Sequence, residues 1–240
     1  MAIPQPLWNR RALRHEDSLV VADLHIGYEF ELEKKGYIVP SQTDNMIHGI
    51  REMLAETGAE RLIINGDLKH NIPQGSWQEY KEIPKALDSW LKEVDEIHIL
   101  KGNHDGGLDS YLPSEVILHN SAGAVIDGIG YFHGHATPSE KVLRTENIVT
   151  AHSHPAVSLK DGLDRKERHP CWVKFNFSRD DLHGEGIMVP TFNELLGGTC
   201  INEHGYLGPF FRNYEIYEDT VYLTDGTCLG PRIELMHSEE

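Results

Sequence analysis

Short apolar runs, each bounded by glycine or polar residues, recur along the chain and predict buried β-strands. The five most informative runs lie at 19–22, 61–65, 97–100, 129–132 and 148–150. Two amphipathic stretches separate the first three runs. One follows Thr43, a good N-cap, and stops at Gly58; the other follows Pro84, which suits a first helical turn. The N-terminal half therefore predicts the order β-α-β-α-β, with parallel strands whose carboxyl ends meet at one edge.

The second half of the chain has a different pattern, because helical spacing fades and strand-like runs dominate. Further strands are predicted at 116–118, 124–126, 157–159, 172–177, 187–189 and 221–223. The last of these precedes Asp225-Gly226, a strong hairpin signal. The charged stretch 161–169 predicts an exposed loop. We expect a second, largely antiparallel sheet, and one α/β domain over residues 1–240.

Each of the five informative runs ends at a cluster of polar side chains that could bind metal. The clusters are Asp23-Leu24-His25, Gly66-Asp67, Gly102-Asn103-His104-Asp105, His133-Gly134-His135 and His152-Ser153-His154. Carboxylate, imidazole and amide donors without thiolate suit Mn, Fe, Zn, Co or Ni better than Ca. Each cluster alone is weak evidence, but all five in this order are specific. The set suffices for two divalent ions, with one histidine left over as an acid.

Composition narrows the class further. The chain has 22 basic and 38 acidic residues, a formal charge of −16, with no basic arm or acidic tail. Such a surface disfavours non-specific nucleic-acid binding, although bound metals would make the site itself positive. Three cysteines without regular spacing argue against a disulfide framework and favour a reducing compartment. We expect a cytoplasmic protein without a signal peptide or membrane span.

Taken together, the clusters resemble those of the calcineurin-like metallophosphoesterase superfamily, over roughly residues 19–155. Two strings, 23–29 (DLHIGYE) and 190–195 (PTFNEL), are most similar to the small SbcD-related phosphoesterases of archaea and bacteria. The resemblance implies a four-layer α/β/β/α sandwich with two central mixed β-sheets. It also implies a metal site on loops at the carboxyl ends of strands.

The resemblance implies a role for each cluster residue. One metal would be held by Asp23, His25, Asp67 and His154, and the other by Asp67, Asn103, His133 and His152. Manganese is the expected metal, with iron, zinc, cobalt and nickel as alternatives. His104 would be the general acid, and Asp105 would orient it. His70 stands where many relatives have Asp, and in the SbcD-type nucleases a histidine there resembles the partner of the catalytic histidine.

Several residues near the clusters have two interpretations. His70 is either a substrate-positioning residue or an exposed loop histidine, and His135 is a neighbour of the ligands or faces substrate. Lys69 could touch phosphate, but a solvated lysine is the simpler reading. Asn193 lies either in a wall of the site or in a turn. The family usually has Gly where this chain has Ala151, a one-methyl change that we expect to be tolerated.

The function expected from these features is a dinuclear metal-dependent phosphodiesterase or nuclease, in which a metal-bridging hydroxide attacks phosphorus. Its substrate would be a nucleotide or nucleic acid, with a DNA-processing protein as partner and a homo-oligomer as a further expectation. The alternative within the enzyme class is a phosphomonoesterase or small-molecule phosphohydrolase. The rival from another class is a catalytically inactive protein-binding scaffold on the same fold.

Overall fold

The structure is a computed structural model that describes residues 3–73 and 75–236. The predicted domain limits, 1 and 240, lie outside these residues. Within the described ranges, a first sheet of six strands has the spatial order β1-β2-β3-β4-β5-β6. Its pairs are antiparallel up to β3 and parallel from β3 onward. Its strands are β1 (Gln5–Pro6), β2 (Leu13–His15), β3 (Ser18–Val21), β4 (Arg61–Ile64), β5 (Glu96–Leu100) and β6 (Val116–His119).

A second sheet of nine strands is mixed, with most of its pairs antiparallel. The pairs β8–β9, β9–β12 and β10–β13 are parallel. Its strands are β7 (Ala124–Ile126), β8 (Ile129–Tyr131), β9 (Asn147–Thr150), β10 (Pro155–Lys160), β11 (Lys166–Arg179), β12 (Leu182–Met188), β13 (Thr199–Cys200), β14 (Glu215–Leu223) and β15 (Cys228–Pro231). The turn between β14 and β15 contains the predicted Asp225-Gly226, with Gly226 at φ 95°.

Six α-helices lie within the described residues. They are α1 (Tyr28–Lys34), α2 (Thr43–Thr57), α3 (Trp77–Trp90), α4 (Glu140–Leu143), α5 (Ile201–His204) and α6 (Pro209–Asn213), with 3₁₀ turns at Leu108–Tyr111 and Arg232–Leu235. No helix within 3–73 and 75–236 has the length and apolar character needed to cross a bilayer.

In the part of the chain that the structure describes, three hydrophobic cores separate the four layers. Alternate residues of β3 point in opposite directions, so Leu19 and Val21 pack under α2 and α3, whereas Val20 packs between the sheets. Trp172, on β11, fills the core between the sheets from the other side. The third core lies beyond the second sheet and includes Phe210 of α6. This α/β/β/α order confirms the predicted fold.

Two details of the helices differ from the prediction. Gln42, not Thr43, occupies the N-cap position of α2, and its side chain makes no capping hydrogen bond. The Thr43 hydroxyl donates to Glu82 at 2.6 Å. Pro84 lies inside α3 and not in its first turn, because the helix begins seven residues earlier, at Trp77. Ser76 starts it with a capping box: its hydroxyl accepts from the backbone N–H of Glu79, whose carboxylate accepts from the N–H of Ser76.

The predicted loop at 161–169 is only half correct. Residues 161–165 form a turn, but Lys166 to His169 belong to β11 and pair with β10, for example Val157 with His169. This end of β11 is mostly exposed, so main-chain pairing rather than burial makes it a strand. An apolar pattern could not have revealed it.

Candidate metal centre

The five clusters lie on loops that continue the pairing of their strands. Beyond β3 and β4, the N–H of Asp23 donates to the carbonyl of Gly66 at 3.1 Å, and the N–H of His25 donates to that of Asp67 at 2.8 Å. Beyond β8 and β9, the N–H of Ala151 donates to the carbonyl of His133 at 2.8 Å. The loops of each sheet are thereby fixed against one another before any side chain contributes.

Five of the predicted ligands have an unusual backbone conformation. Their φ angles lie between 43° and 66°, in the left-handed region, at Asp23, His25, Asp67, His152 and His154. Residues other than glycine rarely adopt this region, because it costs about 1–3 kcal/mol per residue. Residues with such strained φ angles are concentrated at functional sites. Asp and His are among the residues that tolerate it best. The fold therefore maintains a strained backbone where the clusters meet.

The side chains of six predicted metal ligands form two groups. Within each group the ligand atoms lie within 4.8 Å of one another; the groups are Asp23, His25 and His154, and Asp67, His133 and His152. The His154 Nε2 lies 3.1 Å from Asp23 Oδ1, and the His133 Nε2 lies 3.3 Å from Asp67 Oδ2. The His25 Nε2 lies 3.4 Å from both Asp67 Oδ2 and His154 Nε2. Asp67 thus faces both groups.

The buried polar atoms of these groups fit a metal centre. Among the described residues, Asp23 Oδ1 and His133 Nε2 are fully buried without a hydrogen-bond partner, since their neighbours lie out of hydrogen-bond direction. Such atoms are costly to bury unless something binds them. Oxygen and nitrogen donors that point at a common space fit a divalent ion.

Electrostatics at the centre favour a cation. Burial opposes ionisation of Asp67, but His133 and His25 hold the pKa of its carboxyl well below the ordinary value. Burial likewise opposes protonation of His133, yet Asp67 raises the pKa of that imidazole to about 9. Burial lowers the pKa of His25 to about 3 and that of His152 to about 4, so both are neutral and able to coordinate.

Two glycines of the motifs allow the close packing. A Cβ at Gly66, whose φ is 94°, would collide with the His133 ring. A Cβ at Gly102 would collide with the backbone and carboxylate of Asp67. Glycine is therefore required at these two positions, because His133 approaches one of them and Asp67 the other.

Asn65 was not predicted as part of the site but connects the two sheets there. Its Nδ2 donates to the carbonyls of Phe132 at 3.2 Å and Val149 at 3.3 Å. The backbone carbonyl of Asn65 accepts from the Nδ1–H of His133 at 3.0 Å, which leaves Nε2 of that ring free to coordinate. Only its place directly before Gly66-Asp67 could have drawn attention to it.

His104 lies half-buried beside the two groups. Its backbone N–H donates to Asp67 Oδ1 at 2.8 Å, and its Nδ1 contacts the carbonyl of His70. Its ring stacks on His70, with centroids 5.1 Å apart, and meets His25 edge-on at 4.7 Å. Asn103, the preceding residue, is exposed on the same loop.

Asp105 contacts the loops and not the His104 ring that it was expected to orient. Its carboxylate accepts backbone N–H groups from Gly102 at 2.8 Å, Asp67 at 2.9 Å and Lys69 at 3.2 Å. Burial, with the nearby Asp67 carboxylate, raises the pKa of Asp105 to about 6. The Asp105 carboxylate thus joins the loop at 67–69 to Gly102, and the group that contacts the His104 ring is the carbonyl of His70.

His70 is buried and lies in the middle of the site, so it is not an exposed loop histidine. Its Nε2 lies 2.6 Å from Glu31 Oε2, and its Nδ1 lies 3.2 Å from the Nδ1 of His25. Its backbone N–H donates to Glu79 Oε1 at 2.8 Å. The sequence did not indicate Glu31 or Glu79, because neither belongs to a motif.

Lys69, Asn193 and His135 lie around the two groups. Lys69 was expected to be solvated, but it is fully buried and its Nζ donates to the carbonyl of Asn71. Asn193 is buried, and its Nδ2 donates to the carbonyl of Leu24 at 2.9 Å, which ties its turn to the Asp23 loop. The His135 ring lies 5.3 Å from that of His133, as a neighbour of the two groups.

Comparison with known proteins identifies the family of the chain. The model of the calcineurin-like phosphoesterase family matches residues 18–215, most of the chain. The chain therefore belongs to the calcineurin-like phosphoesterase family, which binds divalent metals and whose membership suggests phosphoester hydrolysis. No curated protein matches the sequence.

Comparison with solved structures finds the same fold in one protein of low identity and gives lower scores for two others. The nuclease MPE of Pseudomonas putida has a TM-score of 0.56 and 21% identity, covering 91% of this chain and 89% of that chain. The E. coli phosphoesterase YfcE has a TM-score of 0.41 and 15% identity, over 89% and 96%. Vps29 of Entamoeba histolytica, solved with Zn²⁺, has a TM-score of 0.37 and 15% identity, over 85% and 89%.

Proposed function

We propose that this protein is a dinuclear metal-dependent phosphodiesterase that acts on nucleotides or nucleic acid. The observation that carries the proposal is the convergence of two buried carboxylates and four imidazoles on two adjoining groups, with His104 beside both. A scaffold on this fold would not need buried ligand atoms without hydrogen-bond partners, and such atoms are present among the described residues.

The proposed ligands divide into two sets that share Asp67. Asp23, His25, Asp67 and His154 would hold one ion, and Asp67, Asn103, His133 and His152 the other. When bound, a pair of divalent ions lowers the pKa of water and neutralises charge on a phosphoryl group. Manganese is the proposed metal, and the nitrogen-rich donor set also suits iron, zinc, cobalt and nickel.

His104 is proposed as the general acid. Because Nδ1–H donates to the carbonyl of His70, the opposite atom, Nε2, is the one that can carry a proton to a leaving oxygen. The stacked His70 ring and the edge-on His25 ring limit rotation of the imidazole. A leaving alkoxide needs this proton, whereas an acidic phenol leaves without it.

The substrate class is the finer part of the proposal. The likeness to a nuclease and the His70 position support a phosphodiester of nucleic acid. The charge of −16 supports a small substrate over a long duplex, and thus the alternative of a phosphomonoesterase or small-molecule phosphohydrolase. A DNA-processing partner protein and a homo-oligomer belong to the proposal in its nuclease form.

The test is a substrate panel with Mn²⁺ supplied. We expect cleavage of bis-p-nitrophenyl phosphate to exceed that of p-nitrophenyl phosphate, with single-stranded DNA or a cyclic nucleotide also cleaved. Preference for the monoester would favour the alternative. Purified protein that binds no metal and cleaves none of these compounds would favour the scaffold.

His104→Ala tests the assigned acid. We expect a loss of about 10²–10⁴-fold on an alkyl diester and a much smaller loss on a nitrophenyl diester, with two metals retained. His48→Ala, which changes an exposed histidine on α2, is the matched control. Equal losses on both leaving groups would contradict the role.

A further inference from the structure

A line of three side chains leads from α1 to the candidate metal centre. Glu31 Oε2 lies 2.6 Å from His70 Nε2, and His70 Nδ1 lies 3.2 Å from His25 Nδ1. The opposite nitrogen of His25, Nε2, faces Asp67 and His154 at 3.4 Å. The two imidazoles thus present like atoms to each other, and a hydrogen bond forms only if one proton lies between them.

Metal binding decides where that proton lies. If His25 Nε2 coordinates a metal, the neutral ring carries its hydrogen on Nδ1 and donates it to His70. The Nδ1 of His70 is then the acceptor, so its own hydrogen lies on Nε2 and points at Glu31. The carboxylate of Glu31 only accepts, which matches this order from end to end.

Glu31 and His70 are both held in place for this arrangement. The second oxygen of Glu31 pairs with Lys35, one turn along the helix. The rings of Tyr28 and His70 pack in a T-shaped arrangement with centroids 4.9 Å apart, and the backbone N–H of His70 donates to Glu79. The line of side chains therefore connects the partly exposed Glu31 to the buried His25 through the His70 imidazole.

We infer that Glu31 is a positioning residue that acts through His70 to keep the His25 imidazole in the tautomer that binds metal. This rests on the proposed function, because it takes His25 as a ligand. Glu31 belongs to none of the five clusters. Its partners lie 39 positions away, for His70, and four positions away, for Lys35.

The test is zinc affinity of the full-length protein, measured by competition with a chromophoric chelator. Glu31→Ala should weaken binding about 10-fold, at the lower end of the effect of outer partners of metal ligands. Glu31→Gln should recover most of this loss, since its amide oxygen still accepts from His70 Nε2–H. Glu33→Ala removes the same charge from the same helix at an exposed position and should leave affinity unchanged.

A second readout follows the tautomer directly. Long-range ¹H–¹⁵N spectra of the zinc-loaded protein should show His70 with its hydrogen on Nε2 and His25 with its hydrogen on Nδ1. In Glu31→Ala, His70 should become a mixture of tautomers. A merely structural role of Glu31 would lower stability without changing these signals.

Two outcomes would overturn the inference while leaving the proposed function intact. One is wild-type protein that binds two zinc ions and cleaves the diester, with Glu31→Ala and Glu33→Ala of equal affinity. The other is a third zinc per chain that is lost in His70→Ala, because His25, His70 and His104 would then be ligands of one more ion. Wild-type protein that binds no metal would instead overturn both proposals.

Discussion

The two sheets contribute to the centre in different ways. The first sheet supplies both carboxylates, His25, Asn103 and His104, from the ends of three parallel strands separated by helices. The second supplies only imidazoles, from the ends of the parallel neighbours β8 and β9. The first sheet thus brings both carboxylates and the proposed acid, whereas the donors of the second sheet are all imidazoles. Each proposed metal would be bound from both sides and would join the sheets.

Asp67→Asn should have the largest effect, because Asp67 faces both groups. We expect kcat/KM on bis-p-nitrophenyl phosphate to fall roughly 10³-fold, the equivalent of about 4 kcal/mol of lost charge stabilisation. Metal analysis of the purified variant should show fewer than two ions. Asp88→Asn, an exposed change on α3, is the control. Near-normal activity of Asp67→Asn would mean that the two proposed ligand sets do not share Asp67.

Removal of metal should weaken the connection between the sheets. At a free metal concentration about 100 times Kd, binding to the folded state adds about 2.7 kcal/mol, or roughly 5–10 °C in Tm for a chain of this size. Thermal melts with and without chelator measure this difference. His25→Ala on the first sheet and His152→Ala on the second should each reduce it. A reduction by only one of them would show that the ion is held by one sheet.

Gly102→Ala tests how tightly the loops of the first sheet pack. The added methyl would collide with Asp67, and we expect a loss of about 1–3 kcal/mol in the free energy of unfolding. Denaturant titration measures it. The control is Gly106→Ala, four residues along the same loop, where the methyl meets open space and should not change the free energy of unfolding. Equal effects at both positions would mean that backbone entropy, and not packing, determines the loss of stability.

Ser76→Ala should have the smallest effect, since it changes only the outer helical layer of the first sheet. Loss of the N-cap hydroxyl should cost about 1 kcal/mol, or roughly 2–4 °C in Tm. Ser114→Ala removes an exposed hydroxyl and controls for the chemistry of the change. A Tm equal to that of wild type would show that Glu79, through its bonds to His70 and Asn71, suffices to fix this end of α3.

The strands before the clusters could be predicted because each is buried on both faces. Short continuous apolar runs such as Leu62-Ile63-Ile64 predict buried strands, and the ends of these strands placed the clusters correctly on neighbouring loops. The start of α3 could not be predicted in this way. Its first turn, from Trp77, has an exposed tryptophan and polar residues, so the apolar spacing begins only at Ile83.

The contacts around the clusters were harder to predict than the clusters themselves. Asp105 was expected to act on a side chain, but it accepts three backbone N–H groups, and no sequence pattern reveals which loops approach it. Glu31 and Asn65 likewise owe their positions to residues far away in the chain. Motifs identify groups that chemistry requires, whereas their supports depend on tertiary packing.

The left-handed backbone at five proposed ligand positions limits how this centre could be rebuilt elsewhere. A designer who copied only the side chains onto regular strands or helices would obtain the right donors with the wrong directions. Replacing Asp67 by Glu would keep a carboxylate but put a longer side chain at φ 50°. What would have to be transplanted is the set of loops, with the two sheets that force them into shape.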